Sequence, residues 1–228
     1  MILVPVKNLS GAKQRLASLL DQKSRTELAQ AMLHDVLSTL AAWNDAHRLG
    51  VAIVSSDPFA IELARQYQFE IIPDPANPGE TGAIEMATQI CVDRGVANTL
   101  VIPADIPLIQ SWELEEILKQ APAEGSVLVP AADGRGTNAA YRSPAALFPL
   151  RFGNDSFKPH HDAAQATNKP CIVLRLPGIA VDVDSPEDLQ HLLSLPGETR
   201  AQHLARKWTV TTRVETGDSP VGPRSGDL

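Results

Sequence analysis

Charged residues of opposite sign follow separate apolar segments of this chain, and their spacing suits a phosphorylated ligand bound together with a cation. Three of the cations, Lys7, Lys13 and Arg15, lie within nine residues around a Ser-Gly pair, in the loop after the apolar segment MILVPV. Such side chains bind phosphates, and backbone N–H groups near a glycine assist them. The loop lacks the G-x-x-x-x-G-K-[ST] spacing of a P-loop. Taken alone, it is open to two interpretations, a phosphate site and a solvated turn.

Acidic residues follow two further apolar segments. Asp105 lies between two prolines in PADIP, directly after TLVI, and Asp182 and Asp184 lie in DVDSPEDL. A carboxylate at the end of a strand suits Mg²⁺, which takes one or two carboxylates and completes its shell with phosphate oxygens and water. We predict that Asp105 shares a metal with one of the later acids, and a turn without a ligand is the alternative. Helix capping explains Ser185 and Asp188 but not the two acids before them.

Two glycine-containing segments offer hydrogen-bond donors for a small anion. Thr137 and Asn138 in DGRGTNAAY present a hydroxyl and an amide, and Gly153 precedes Ser156 at a predicted helix start in FGNDSFKPHHDAA. The N–H groups at a helix N-terminus favour a phosphate or a carboxylate. His160 is followed directly by a second histidine, and adjacent helical side chains point about 100° apart. We therefore expect a surface position or a substrate contact for these histidines rather than a metal pair.

Composition excludes several classes of partner. The chain has 228 residues and a formal net charge of -7, which argues against nucleic acid or an anionic membrane as a partner. Its two cysteines, Cys91 and Cys171, provide neither a metal-ligand spacing nor a disulfide framework. No apolar run reaches the roughly 18 residues of a membrane span. Because the first predicted strand begins at Met1, we expect no signal peptide and a soluble, cytoplasmic protein.

Strands and helices alternate along the chain, which indicates an α/β fold. Continuous apolar segments such as MILVPV and LGVAIVSS suit strands that are buried on both faces of a parallel sheet. We predict three layers, with a mostly parallel sheet between helices on both faces, a strand at IAVDVD and a helix from Gly82 to Arg94. We predict one domain over 1–208. Residues 209–228 are rich in Gly, Pro, Ser and Thr, and we expect a flexible tail there.

Taken together, these motifs resemble those of a known enzyme family. The segments VPVKNLSGAKQRL, PADIPLI, GRGTNAA, FGNDSFKPHHDAA and DVDSPEDL occur in the family's order and at its distances. They are similar to segments of the phosphoenolpyruvate and 2-phospho-L-lactate guanylyltransferases of coenzyme F-420 biosynthesis. That family belongs to the GT-A-like, nucleotide-diphospho-sugar transferase-like class of nucleotidyltransferases. The most specific element of the resemblance is the pairing of GTNA with FGxxSFxxH.

The resemblance implies a reaction and a set of site residues. The implied reaction transfers GMP from GTP to the phosphate of phosphoenolpyruvate or 2-phospho-L-lactate and releases diphosphate, with Mg²⁺ as the cofactor. Asp182 is the alternative to Asp184 as the second metal ligand. The implied site residues form three groups, for the acceptor, the triphosphate and the metal: Thr137, Gly153 and Ser156; Lys7, Lys13 and Arg15; Asp105 and Asp184.

One loop departs from the family pattern. Family members usually read PGLNAA before the third helix, whereas this chain reads PGETGA at 78–83. The departure leaves the acceptor open, and 3-phosphoglycerate is a further candidate. The other interpretations are a molybdenum-cofactor or sugar-phosphate nucleotidyltransferase, a glycosyltransferase of the same fold, and a non-enzymatic nucleotide-binding regulator. The sequence also leaves the oligomeric state open, with a homodimer as one candidate.

Overall fold

Seven strands form one sheet in the computed structural model, which describes residues 1–75, 79–153 and 155–215, with side chains up to residue 208. Their order across the sheet is β3-β2-β1-β4-β6-β5-β7. β6 is antiparallel to both of its neighbours, whereas the other pairs are parallel. The predicted mostly parallel sheet is therefore confirmed. The strands are β1 Ile2–Pro5, β2 Val51–Val54, β3 Glu70–Ile72, β4 Thr99–Val101, β5 Gly125–Pro130, β6 Thr137–Ser143 and β7 Cys171–Val173.

Helices cover both faces of this sheet. Ile2 and Val4 of β1 pack in one core with residues of α1, α2, α4, α6 and α7, whereas Leu3 between them packs in a second core with α3 and α5. This alternation follows from the period of a strand, whose successive side chains point to opposite faces. None of the described helices is long and apolar enough to cross a membrane. The helices are α1 Gln22–His47, α2 Pro58–Gln66, α3 Glu80–Asp93, α4 Ser111–Gln120, α5 Phe157–Ala166, α6 Pro186–Ser194 and α7 Arg200–Glu215.

The direction of β6 decides which of its ends lies at the ligand edge. Ligands of open α/β sheets bind beyond the carboxyl ends of the strands, and β1, β4 and β5 all end at the same edge. Because β6 runs the other way, its first residue, Thr137, lies at this edge, paired with Pro130 at the end of β5. The reversed strand thus brings its amino end beside the carboxyl ends of its neighbours.

The predicted strand at IAVDVD is wrong, since residues 179–184 contain turn and irregular backbone. This segment does not form the regular hydrogen bonds of a strand in a sheet. Instead, single hydrogen bonds connect it to separate parts of the molecule. The Asn138 side chain donates to the Ile179 carbonyl at 3.0 Å, and the Val183 N–H donates to the Asp105 carbonyl at 3.1 Å. These bonds hold the acidic residues of this segment beside the loop after β4.

The last helix extends past the predicted domain boundary. α7 spans Arg200–Glu215, so a boundary after residue 208 falls inside it. The first turn of α7 is capped from another helix, because the Asp35 carboxylate of α1 accepts from the N–H groups of Arg200 and Ala201 at 3.0 and 2.9 Å. Residues 216–228 of the predicted flexible tail lie outside the described residues.

A buried carboxylate anchors the segment that leads to the later acids. Glu113 of α4 is 0% exposed and accepts from the N–H groups of Gln110, Gly178 and Ile179 at 2.9, 2.7 and 3.3 Å. Burial raises the pKa of Glu113, and the donated hydrogen bonds oppose that rise. Glu113 therefore ties the start of α4 to the backbone just before the acidic segment.

We expect Glu113→Ala to destabilise the fold by about 2 to 4 kcal/mol, because buried N–H groups would lose a charged acceptor. Urea unfolding would measure the change. Glu115→Ala, at an exposed position of the same helix, is the matched control and should change stability by less than about 0.5 kcal/mol. Equal losses for the two variants would contradict the anchoring role of Glu113.

Candidate active site

The eight predicted site residues line two adjoining cavities at the carboxyl edge of the sheet, which together we call the cleft. Glu80, Pro103 and Asp105 line both cavities and join them. The second cavity, of about 300 Å³, contains the predicted triphosphate residues Lys7 and Lys13. The first cavity, of about 420 Å³, contains the other six: Arg15, Asp105, Thr137, Gly153, Ser156 and Asp184.

Lys13 connects the predicted triphosphate loop to the predicted metal ligands. Its Nζ donates to Asp105 Oδ2 at 2.7 Å and to Asp184 Oδ1 at 2.6 Å. The Lys13 side chain is only 8% exposed. Burial alone would lower the pKa of Lys13, but the two carboxylates raise it above its ordinary value. Lys13 therefore remains a cation between two anions.

The carboxylates of Asp105 and Asp184 converge on one point, and this arrangement suits a metal ion. Oxygens of Asp105 and Asp184 both lie within 2.7 Å of a single nitrogen atom, so the two acids are spaced to share one cation. Burial favours a higher pKa for Asp184, yet Lys13 lowers it below its ordinary value. Two carboxylates are a fitting protein contribution for Mg²⁺ when phosphate oxygens complete its shell. The described residues contain no group of three or more His, Cys, Asp or Glu that could hold a metal by itself.

Asp182, the alternative second ligand, makes a different contact. Its Oδ1 accepts from Asn138 Nδ2 at 2.9 Å. Burial raises the pKa of Asp182 to about 6, with the hydrogen bond from Asn138 opposing the rise and the charge of Asp105 adding to it. The geometry therefore favours Asp184, rather than Asp182, as the partner of Asp105.

Two hydroxyl groups lie together on the predicted acceptor side of the cleft. The Thr137 N–H donates to Ser156 Oγ at 3.1 Å, and Thr137 Oγ1 lies 2.9 Å from His160 Nδ1. His160 Nε2 accepts from the Arg151 N–H at 2.7 Å, and since an amide N–H only donates, the ring proton must be on Nδ1. Nδ1 then donates to Thr137, whose own hydroxyl hydrogen points elsewhere. Both hydroxyl groups can therefore donate to an anion in the cleft.

The structure corrects the interpretation of His160. The side chain is 1% exposed, so the expected surface position is wrong, and its ring packs edge-on against Phe152 at 5.1 Å. Burial, with a smaller effect of Arg142, lowers the pKa of His160 to about 4. One feature of the sequence indicated that His160 lies on the same side of the helix as Ser156. His160 follows Ser156 by four residues, which is about one helical turn.

Glu80 is a residue of the cleft to which sequence analysis assigned no role. It begins α3 after Gly79, whose φ of 92° favours glycine. Burial raises the pKa of Glu80 to about 7; Asp105 adds to the rise and Lys7 opposes it. The signal in the sequence was the departure from PGLNAA, but a departure alone does not reveal which way a side chain points.

The model of the family described as "Guanylyl transferase CofC like" matches residues 1–222. The chain belongs to this CofC-like family. It is 35% identical to the phosphoenolpyruvate guanylyltransferase of Roseiflexus castenholzii, covering 91% of this chain and 94% of that protein. It is 32% identical to the 2-phospho-L-lactate guanylyltransferase of Methanothermobacter thermautotrophicus, covering 94% and 93%. It is 31% identical to the 3-phospho-D-glycerate guanylyltransferase of Colwellia psychrerythraea, covering 89% and 95%. The CofC-like chain is thus a nucleotidyltransferase, as its motifs predicted.

Solved structures support the fold of this CofC-like enzyme. A Desulfovibrio desulfuricans structure described as a nucleotide-diphospho-sugar transferase superimposes with a TM-score of 0.73 at 19% identity, covering 93% of this chain and 96% of that chain. A nucleotidyl transferase from Methanothermobacter has a TM-score of 0.54 at 16% identity, covering 91% and 99%. At these identities the likeness shows the fold alone, and it confirms the predicted nucleotide-diphospho-sugar transferase-like fold.

We expect His160 to make the fold less stable in acid. Its pKa is about 4 in the folded chain and about 6.5 when unfolded, so the unfolded chain binds the proton more readily. The contribution is fully present above pH ~6.5 and is lost as the pH falls towards ~4, by about 3 kcal/mol in total. Urea unfolding at several pH values should show a smaller acid loss for His160→Gln than for the natural chain. His161→Gln is the control and should lose as much stability in acid as the natural chain. If its acid loss is as small as that of His160→Gln, the assignment of this loss to His160 is contradicted.

Proposed function

We propose that this CofC-like enzyme transfers GMP from GTP to the phosphate of a phosphorylated three-carbon acid in the cytoplasm, as a step in coenzyme F-420 biosynthesis. The acceptor class includes phosphoenolpyruvate and 2-phospho-L-lactate, and 3-phosphoglycerate is the alternative. One observation carries the proposal: a single cleft joins the cluster of Lys13, Asp105 and Asp184 to the hydroxyl pair of Thr137 and Ser156. The names of the relatives support this acceptor class.

The triphosphate would bind to the cations of the opening loop. Lys7 lines the second cavity and Arg15 the first. Lys13, which lies between them in the sequence, is held by the two acids. In the proposed complex the Lys13 ammonium leaves the acids for the phosphates, and with Arg15 it stabilises the departing diphosphate.

Asp105 and Asp184, whose oxygens converge, would together hold Mg²⁺. When bound, Mg²⁺ neutralises charge on the α-phosphate and so reduces the repulsion between two anionic substrates. The pair therefore supplies the negative half of the site, opposite the cations that bind the triphosphate.

The acceptor would be oriented by hydroxyl and backbone donors. An oxygen of its phosphate attacks the α-phosphorus of GTP in line, the bond from that phosphorus to the bridging oxygen breaks, and diphosphate departs. A phosphate is already ionised near pH 7, so the mechanism requires no general base. Thr137 and Ser156 donate to the anionic acceptor, and catalysis rests on positioning and charge neutralisation.

Diphosphate release from GTP and Mg²⁺ tests the proposal, with phosphoenolpyruvate, 2-phospho-L-lactate and 3-phospho-D-glycerate supplied in parallel. We expect Asp105→Asn to reduce kcat at least about 100-fold and Ser156→Ala to raise the KM for the acceptor about 10-fold. Asp162→Asn, at an exposed position of α5, should change neither. Binding of GTP without turnover of any acceptor would contradict the proposal and favour a regulator.

The thermal shift produced by GTP and Mg²⁺ separates the two candidate metal ligands. A ligand that binds the folded chain raises its melting temperature, so the natural chain should shift upward and EDTA should reduce the shift. We expect Asp184→Asn to lose most of the Mg²⁺-dependent part and Asp182→Asn to keep it. The opposite result would make Asp182 the ligand.

A further inference from the structure

Glu80 occupies the junction between the two cavities of the cleft. It lines both of them together with Asp105. A side-chain carbon at the preceding residue, Gly79, would lie 3.9 Å from Lys7 Nζ, so the start of α3 also approaches the triphosphate loop. Because Glu80 lines both cavities, its carboxyl group can contact a ligand bound in either one.

The start of α3 is fastened to the acceptor side of the cleft. Thr81 Oγ1 donates to the Phe152 carbonyl at 3.2 Å and accepts from the Phe152 N–H at 2.9 Å. One turn later, Glu85 accepts from the Leu150 N–H at 3.0 Å. Glu80 is thus held next to the backbone that continues into Gly153 and Ser156, and its position relative to the acceptor residues is determined by the fold.

A carboxyl group in this position has a restricted choice of partners. It repels the phosphate and carboxylate groups of an acidic acceptor, but its oxygens accept a hydrogen bond from a hydroxyl group. Phosphoenolpyruvate and 2-phospho-L-lactate have no free hydroxyl group on their carbon chains, whereas 3-phosphoglycerate has one at its second carbon. A site that hydrogen-bonds a substrate hydroxyl discriminates against the analogue that lacks it.

We propose that Glu80 is a specificity-determining residue that accepts a hydrogen bond from a free hydroxyl group of the acceptor, so that this enzyme prefers a hydroxylated phospho-acid of the 3-phosphoglycerate type. The inference rests on the proposed guanylyl transfer and narrows its acceptor.

The experiment compares kcat/KM for 3-phospho-D-glycerate, phosphoenolpyruvate and 2-phospho-L-lactate in the natural enzyme, Glu80→Leu and Glu80→Gln. We expect the natural enzyme to prefer 3-phospho-D-glycerate by at least about 10-fold. Glu80→Leu should remove this preference and improve turnover of the acceptors that lack a hydroxyl. Glu80→Gln keeps an oxygen acceptor without the charge and should retain part of the preference. Asp93→Asn, at the exposed far end of α3, is the control.

The possible outcomes separate the two proposals. If the natural enzyme prefers phosphoenolpyruvate and Glu80→Leu leaves the ratio of acceptors unchanged, the role of Glu80 is overturned while guanylyl transfer stands. If Glu80→Leu instead raises only the KM for GTP, Glu80 contacts the nucleotide and the inference fails. Absence of turnover with all three acceptors refutes the proposed function itself. Melting temperatures show whether a variant is folded.

Discussion

The ammonium of Lys13 between Asp105 and Asp184 is the interaction on which the cleft depends. Without a cation between them, two carboxylates that converge on one point in a partly buried site would repel each other. Its three members come from the opening loop, the loop after β4 and the acidic segment, so the cluster holds these segments together. Removing one member would leave uncompensated charge. The same convergence suits a divalent cation, as the proposed binding of Mg²⁺ requires.

The fold supports this cluster mainly with hydrogen bonds that span long distances in the sequence. Glu113 anchors the backbone at Gly178 and Ile179, and the Val183 N–H reaches the carbonyl of Asp105. These bonds replace the strand ladder expected for this segment. Irregular backbone can direct acids that are two residues apart to different partners, and here Asp182 contacts Asn138 while Asp184 contacts Lys13.

The hydroxyl pair on the predicted acceptor side depends on a neutral histidine. His160 is buried and remains uncharged at neutral pH because burial lowers its pKa to about 4. A protonated ring would have an N–H group at each nitrogen. The N–H group at Nε2 would then meet the Arg151 N–H, and two donors would face each other without an acceptor. The neutral ring accepts at one nitrogen and donates at the other, which leaves the Thr137 hydroxyl as a donor. Although the net charge is -7, four cations line the cleft: Lys7, Lys13, Arg15 and Arg135.

The sequence by itself determined the α/β class, the family and the segments that supply the cleft, because buried strands are continuous apolar runs and polar residues follow their ends. The tertiary structure decided the rest. It showed that β6 runs against its neighbours, that Asp184 faces Lys13, and that His160 is buried behind Thr137. It also placed Glu80 at the junction of the cavities. These features depend on contacts between residues far apart in the chain, and local propensity and spacing carry no information about such contacts.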